Sequence, residues 1–102
     1  MSSSDIRKIR EFLLEHARVS GIENLFWMEI PEDLLSPLQS RHRDCAPHVF
    51  AVEVGESWVK TELFSKSLTK MRCECQHYGT ERQIQYALRW IDRMLDGLRI
   101  RT

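Results

Sequence analysis

The sequence predicts an α+β fold, in which a four-stranded antiparallel meander sheet is covered on one face by an N-terminal and a C-terminal helix. Three observations predict it. Apolar residues recur at helical spacing near both ends of the chain, and the middle holds short runs rich in β-branched and aromatic residues. The links between the last three predicted strands are short, which favours hairpins. The expected order is α-β-β-β-β-α, a two-layer sandwich.

The final helix is the best-marked element. Thr80 is a suitable N-cap and Gln83 follows three residues later, so the pair predicts a capping box. Gly97 is the expected stop. The predicted buried face repeats every three or four residues and consists of Ile84, Ala87, Leu88, Ile91, Met94, Leu95 and Leu98.

Ser4 or Asp5 is expected to be the N-cap of the first helix, which is predicted to run to about Arg18. His16 falls beside its apolar stripe, where a rim position is typical of an amphipathic side chain. Its buried positions are predicted to be Ile6, Ile9, Leu13 and Ala17. We treat residues 1–102 as a single domain with flexible termini at 1–4 and 99–102.

Four strands are predicted between these helices. Their ranges are 25–30, 48–54, 58–64 and 70–77. In the fourth, Met71, Cys73 and Cys75 alternate with polar residues, so we expect these three side chains to face the helices. The connection 31–47 has no sustained period and is long for a compact domain.

The first two predicted strands are apolar on both faces, so their second face needs a cover. One alternative is the 31–47 connection, and the other is a second copy of the chain in a homodimer. The candidate residues for this dimer or covering surface are Phe26, Trp27, Leu34, Leu35 and Leu38.

Composition narrows the function classes. The 102 residues contain 15 Lys and Arg and 15 Asp and Glu, and the resulting net charge of +0 gives no strong field for nucleic acid or an anionic membrane. No run of about 20 apolar residues predicts a membrane span. The N-terminus lacks the apolar core of a signal peptide, so we read the three cysteines as reduced thiols in the cytoplasm.

No catalytic motif is present: the sequence contains no Gly-rich phosphate loop, no dinucleotide fingerprint and no G-x-S-x-G elbow. Enzymatic activity is therefore not expected, and no catalytic residue is assigned. Two clusters suggest zinc, one with His42, Cys45 and His48 and one with Cys73, Cys75 and His77. In the predicted meander they lie at opposite ends of parallel strands roughly 20 Å long. We therefore expect no metal and no cofactor.

The α-β-β-β-(β)-α order resembles that of the double-stranded-RNA-binding fold in topology. Such domains open their last helix with a lysine cluster that holds phosphates. Here residues 79–83 read Gly-Thr-Glu-Arg-Gln, with one basic residue and one acid, so the motif that would carry RNA binding is absent.

A surface of the final helix is the predicted partner-binding site. Arginine beside aromatic rings is typical of protein interfaces and of stacking nucleic-acid contacts. The residues are Arg82, Tyr86, Arg89, Trp90 and Arg93. The favoured function is a small non-catalytic cytosolic interaction or adaptor protein, homodimeric, with an acidic partner. The alternatives are a nucleic-acid-binding domain and a metal- or thiol-dependent site formed by the His and Cys clusters.

Overall fold

The computed structural model describes residues 1–101 and confirms the α+β sandwich with its antiparallel meander. The elements are α1 (Ser3–His16), β1 (Arg18–Val19), β2 (Leu25–Glu29), α2 (Pro37–Arg41), β3 (His48–Val54), β4 (Val59–Ser67) and α3 (Glu81–Gly97). The sheet order is β1-β2-β3-β4, and two 3₁₀ turns at Glu32–Leu34 and Arg43–Cys45 interrupt the long connection. Within residues 1–101, no helix combines the length and the apolar character needed to cross a membrane.

The identity of one strand differs from the prediction. Residues 70–77 form no strand, and the fourth member of the sheet is β1, in which Arg18 pairs with Trp27 of β2. The predicted third strand continues to Ser67. The alternation around the cysteines resembled a strand because two thiols point inward, but Met71 is 94% exposed. Its expected inward orientation was wrong.

The segment 68–80 instead runs back beside the free edge of β4. The Ser65 N–H donates to the His77 carbonyl at 2.8 Å, and the Gly79 N–H donates to the Leu63 carbonyl at 2.8 Å. This irregular stretch covers part of an edge that would otherwise present unpaired backbone groups.

Both long helices carry the expected kind of cap. The Gln83 N–H donates to Thr80 Oγ1 at 3.2 Å and the Thr80 N–H donates to Gln83 Oε1 at 3.1 Å, which confirms the predicted capping box. Helix α1 begins earlier than expected, with Ser2 as its N-cap and Ser3 already helical. Of the predicted α3 face, Leu88 is 53% exposed, so the buried stripe is narrower than predicted.

The core lies between the two helices and the sheet. Its central residues are Ile9 and Leu13 of α1, Phe50 and Val52 of β3, and Met94 of α3. At the C-terminal end, where flexibility was expected, Ile100 is buried in this core, while Thr102 lies outside the described residues.

The long connection packs on the helix side of the sheet. Leu34 and Leu35 pack against the core between the helices and the sheet, whereas Leu38 is half-buried outside this core. Trp27 alternates with two core residues of β2, so it points to the opposite face of the sheet, where it is half-buried.

Candidate metal centre and arginine–aromatic groove

Four possible metal ligands meet at the open end of the β3–β4 hairpin, where β3 begins and β4 ends. They come from two stretches far apart in sequence, His42 and Cys45 in the long connection and Cys73 and Cys75 in the segment 68–80. Their ligand atoms all lie within 4.8 Å of one another. We call these four residues the metal cluster.

The spacing of the metal cluster is that of a compact tetrahedral site. Cys45 Sγ lies 3.2 Å from Cys73 Sγ, and His42 Nδ1 lies 3.1 Å from Cys73 Sγ and 3.9 Å from Cys45 Sγ. Around a tetrahedral zinc ion, with Zn–S about 2.3 Å and Zn–N about 2.0 Å, neighbouring ligand atoms are about 3.5–3.8 Å apart. The observed distances bracket this range, so small adjustments of the side chains would accommodate an ion.

The expectation that the two cysteine clusters lie far apart was wrong. It placed Cys75 at the end of a fourth strand, but the chain leaves the sheet at Ser67, which pairs with His48 at the start of β3. The chain then turns back along the long connection. The Leu68 N–H donates to the Pro47 carbonyl at 3.1 Å, and Lys70 forms an ion pair with Asp44.

Polar neighbours orient the ligands. His42 offers Nδ1 to the cluster, while its Nε2 lies 3.6 Å from the exposed carboxylate of Glu74. His48 is only 2% exposed and holds Nε2 at 3.3 Å from Cys75 Sγ. The Cys75 N–H donates to Cys73 Sγ at 3.4 Å. Such outer partners fix the orientation of metal ligands and supply hydrogen bonds to thiolate sulfur.

Two of the three histidines that the sequence grouped with the cysteines, His48 and His77, lie outside the metal cluster. Burial lowers the pKa of His48, which keeps its ring neutral with one N–H to donate. Its Nδ1 is buried without a hydrogen-bond partner in the described part of the chain, so we place the ring proton on Nε2, facing Cys75. His77 is not part of the metal cluster, since its Nε2 bonds Ser36 Oγ at 2.9 Å.

The three thiols differ in acidity because their surroundings differ. Hydrogen bonds from the thiol and the backbone N–H of Cys75 lower the pKa of Cys73 to about 7. Burial raises the pKa of Cys75 to about 12 and also raises the pKa of Cys45. Cys73 is therefore the first of the three to become a thiolate, and all three are free cysteines. A bound cation would favour the thiolate form of every ligand.

A buried pair of glutamines fixes the backbone beside the metal cluster. Gln39 Nε2 donates to Ser65 Oγ at 2.9 Å and to the Cys75 carbonyl at 3.1 Å. Gln83 Nε2 donates to Gln39 Oε1 at 2.9 Å and to the Leu34 carbonyl at 2.9 Å. Both glutamines are 0% exposed. This network connects the metal cluster to helix α3.

Sequence reasoning missed this network, although a signal was present. Ser36 and Gln39 form a capping box at the start of α2, in the same pattern as Thr80 and Gln83. A glutamine in the N3 position directs its oxygen to the cap and leaves its NH₂ group free for a second partner. The two boxes therefore supply the donors from which the network is built.

The predicted partner-binding residues do come together. All five line one groove of about 480 Å³ between α3, α1 and the first 3₁₀ turn. We call it the arginine–aromatic groove. Its lining consists of Phe12, Leu34, Arg82, Gln85, Tyr86, Arg89, Trp90, Arg93 and Met94.

The charges of this groove have one sign. Arg82, Arg89 and Arg93 are exposed, and the described residues that line the groove include no acid. Among residues 1–101, none of the three forms an ion pair or a side-chain hydrogen bond. The neutralisation that helical spacing would allow with Asp92 and Asp96 is therefore not observed.

The aromatic floor of the groove is partly core. Trp90 packs edge-on against Phe12, with ring centroids 5.6 Å apart, and both Tyr86 and Trp90 are half-buried against the core.

The residues that the sequence proposed for a dimer or covering surface are not all exposed. Phe26 is 3% exposed and belongs to the core, so it offers no surface.

Comparison of the chain with protein-family models, with curated proteins and with solved structures gave no match. The metal cluster and the arginine–aromatic groove are therefore the features from which a function must be inferred.

Proposed function

We propose that the protein is a small non-catalytic interaction domain of the cytoplasm, in which one structural zinc ion is bound by His42, Cys45, Cys73 and Cys75. The observation that carries this proposal is the convergence of four ligand atoms within 4.8 Å from two distant stretches of chain. The proposal combines two functions that the sequence suggests, a metal-dependent site formed by His and Cys residues and a role in protein interaction.

The donor set selects the ion. Three thiolates and one imidazole suit zinc, which prefers four sulfur and nitrogen ligands in a tetrahedron. Four protein ligands fill that tetrahedron and leave no position for a reactive water, as in structural rather than catalytic zinc sites. The three ligand cysteines are free thiols, and thiols are kept reduced in the cytoplasm, which supports that compartment.

The proposed ion has a clear structural task. The long connection and the segment 68–80 contain only short turns and one helix of five residues, so few regular hydrogen bonds hold them together. Zinc would join these two segments next to the β3–β4 hairpin. Because the segment 68–80 leads directly into the cap of α3 at Thr80, the ion would also fix the start of that helix.

One observation supports self-association as a further part of the proposal. Three apolar side chains, Leu14, Val19 and Ile22, are between 54% and 64% exposed and line a depression of about 340 Å³ beside the edge strand β1. Exposed apolar clusters next to a free sheet edge favour contact between copies. A homodimer through this edge would cover them.

Native mass spectrometry tests the metal and the subunit number together. Protein produced in medium with trace zinc, and purified without chelator, should carry one zinc ion per chain. Cys75→Ser should lose the zinc, and the melting temperature should fall by more than about 10 °C, because metal-binding energy in such sites is folding energy. Chelation of the wild type should have the same effect.

His16→Ala is the matched control, since His16 is an exposed histidine of α1 outside the metal cluster. It should keep full zinc occupancy and the wild-type melting temperature. Metal-free protein whose melting temperature does not respond to added zinc would refute the structural zinc ion. A stoichiometric metal other than zinc would refute the choice of ion.

A further inference from the structure

We propose that the arginine–aromatic groove binds an extended acidic peptide segment of a partner protein. The inference rests on the proposed interaction role and is independent of the zinc ion. Its basis is the combination of three arginines without a partner in residues 1–101, a lining in which the described residues include no acid, and an apolar floor.

The arginines are suited to carboxylates. A guanidinium group has a planar fork of donors that pairs with a carboxylate through two hydrogen bonds. Since Arg82, Arg89 and Arg93 have no partner within residues 1–101, an incoming carboxylate would displace only water. The half-buried rings of Tyr86 and Trp90 offer a rigid surface for an apolar side chain between the acids.

The length of the groove indicates an extended segment. At 1.5 Å per residue, Arg82 and Arg93 are separated by about 16 Å along the helix axis. An extended peptide advances about 3.3 Å per residue, so about five residues span this distance. Arg89 divides it into about 10 Å and about 6 Å, which corresponds to acidic residues about three and two positions apart.

A nucleic acid fits this surface less well. Glu81, Asp92 and Asp96 lie on the same helix, and the chain as a whole has a net charge of +0. Nucleic-acid affinity depends on many phosphates being neutralised together, which three arginines beside three acids do not provide. A short peptide can place its few carboxylates on the arginines and avoid the neighbouring acids.

The first experiment is selection of peptides from a random twelve-residue display library on the full-length protein. Acidic sequences that contain an apolar or aromatic residue should be enriched. Binding of the best peptide, measured by fluorescence polarisation, should weaken at least tenfold in the triple variant Arg82→Ala, Arg89→Ala, Arg93→Ala. The control variant Arg7→Ala, Lys8→Ala, Lys60→Ala removes the same charge from exposed positions outside the groove and should bind within twofold of wild type.

A second measurement locates the peptide. In a full-length variant with Trp27→Phe and Trp58→Phe, Trp90 is the sole tryptophan, and its emission should change on addition of a selected tryptophan-free peptide. An unchanged emission spectrum, together with equal binding by the two triple variants, would place the peptide elsewhere and overturn the proposal.

Three other outcomes also overturn it. The first is the absence of acidic sequences from the selected pool. The second is tighter binding of a single-stranded oligonucleotide than of the peptide at the same ionic strength, with competition between the two. The third is a homodimer that only the groove variant converts to a monomer, which would make a second copy the occupant. If the wild-type protein carries one zinc ion per chain but binds no acidic peptide, the groove proposal alone is refuted, so the two proposals fail separately.

Discussion

The metal cluster and the arginine–aromatic groove are built in opposite ways. The groove residues of α3 occupy a single helix, so a period of 3.6 residues was enough to place Arg82, Arg89 and Arg93 on one side. The metal cluster joins residues separated by about 30 positions, His42 and Cys73 among them, through the path of two irregular segments. The difference shows that a local pattern predicts a surface, whereas a site between segments depends on the whole topology.

The two regions should therefore respond differently to loss of the metal. Removal of zinc should speed amide hydrogen exchange about a hundredfold in residues 36–46 and 70–79, because these segments have few regular hydrogen bonds of their own. Strand β3 should keep its protection, since Val49, Phe50 and Val52 are 0% exposed in the core.

Hydrogen-exchange mass spectrometry of the zinc-bound and chelated protein measures this contrast. Uniform acceleration over the whole chain would mean that the ion holds the entire fold. Unchanged exchange in both segments would contradict a structural role for the metal cluster.

The sequence predicted the architecture because most of its signals are local. The Thr80–Gln83 capping box and the periodic stripe of α3 depend on neighbours within one or two turns, and both were found, although Leu88 of the predicted stripe is exposed. The error over residues 70–77 came from the same kind of reasoning. Cys73 and Cys75 alternate with polar residues, and alternation within one segment does not distinguish a strand from a loop that directs two thiols to the same cluster.

The metal cluster was not predicted because of that error. The sequence contains its residue types, but a fourth strand over residues 70–77 would place Cys75 roughly 20 Å from His48. The chain instead leaves the sheet at Ser67, beside His48, and the segment 68–80 turns back along the long connection. The path of an irregular segment depends on its tertiary contacts, which residue spacing within the segment does not contain.

Gln39 connects the metal cluster to helix α3, and its substitution should lower the stability of the protein by an intermediate amount. Gln39→Leu removes the donor to Ser65 Oγ and the Cys75 carbonyl, and it leaves Gln83 Nε2 with the Leu34 carbonyl as its remaining acceptor. Buried groups without partners cost about 1–3 kcal/mol each. The free energy of unfolding, measured with urea, should fall by about 2–3 kcal/mol.

Gln85→Leu is the matched control for this change, because Gln85 is exposed on α3. It should alter the free energy of unfolding by less than about 0.5 kcal/mol. Equal effects of the two substitutions would show that the buried network contributes nothing beyond the change of residue type.

The smallest effect on stability should come from the arginines of the groove. Arg82, Arg89 and Arg93 are exposed and unpaired within residues 1–101, so the triple change to alanine removes no ion pair. Alanine also has a helix propensity at least as high as that of arginine. The melting temperature of the zinc-bound protein should stay within about 3 °C of wild type, because surface substitutions of this kind rarely exceed about 0.5 kcal/mol. A fall as large as that of Cys75→Ser would show that the groove, like the metal cluster, holds the fold together, and that its arginines are not free to serve a partner.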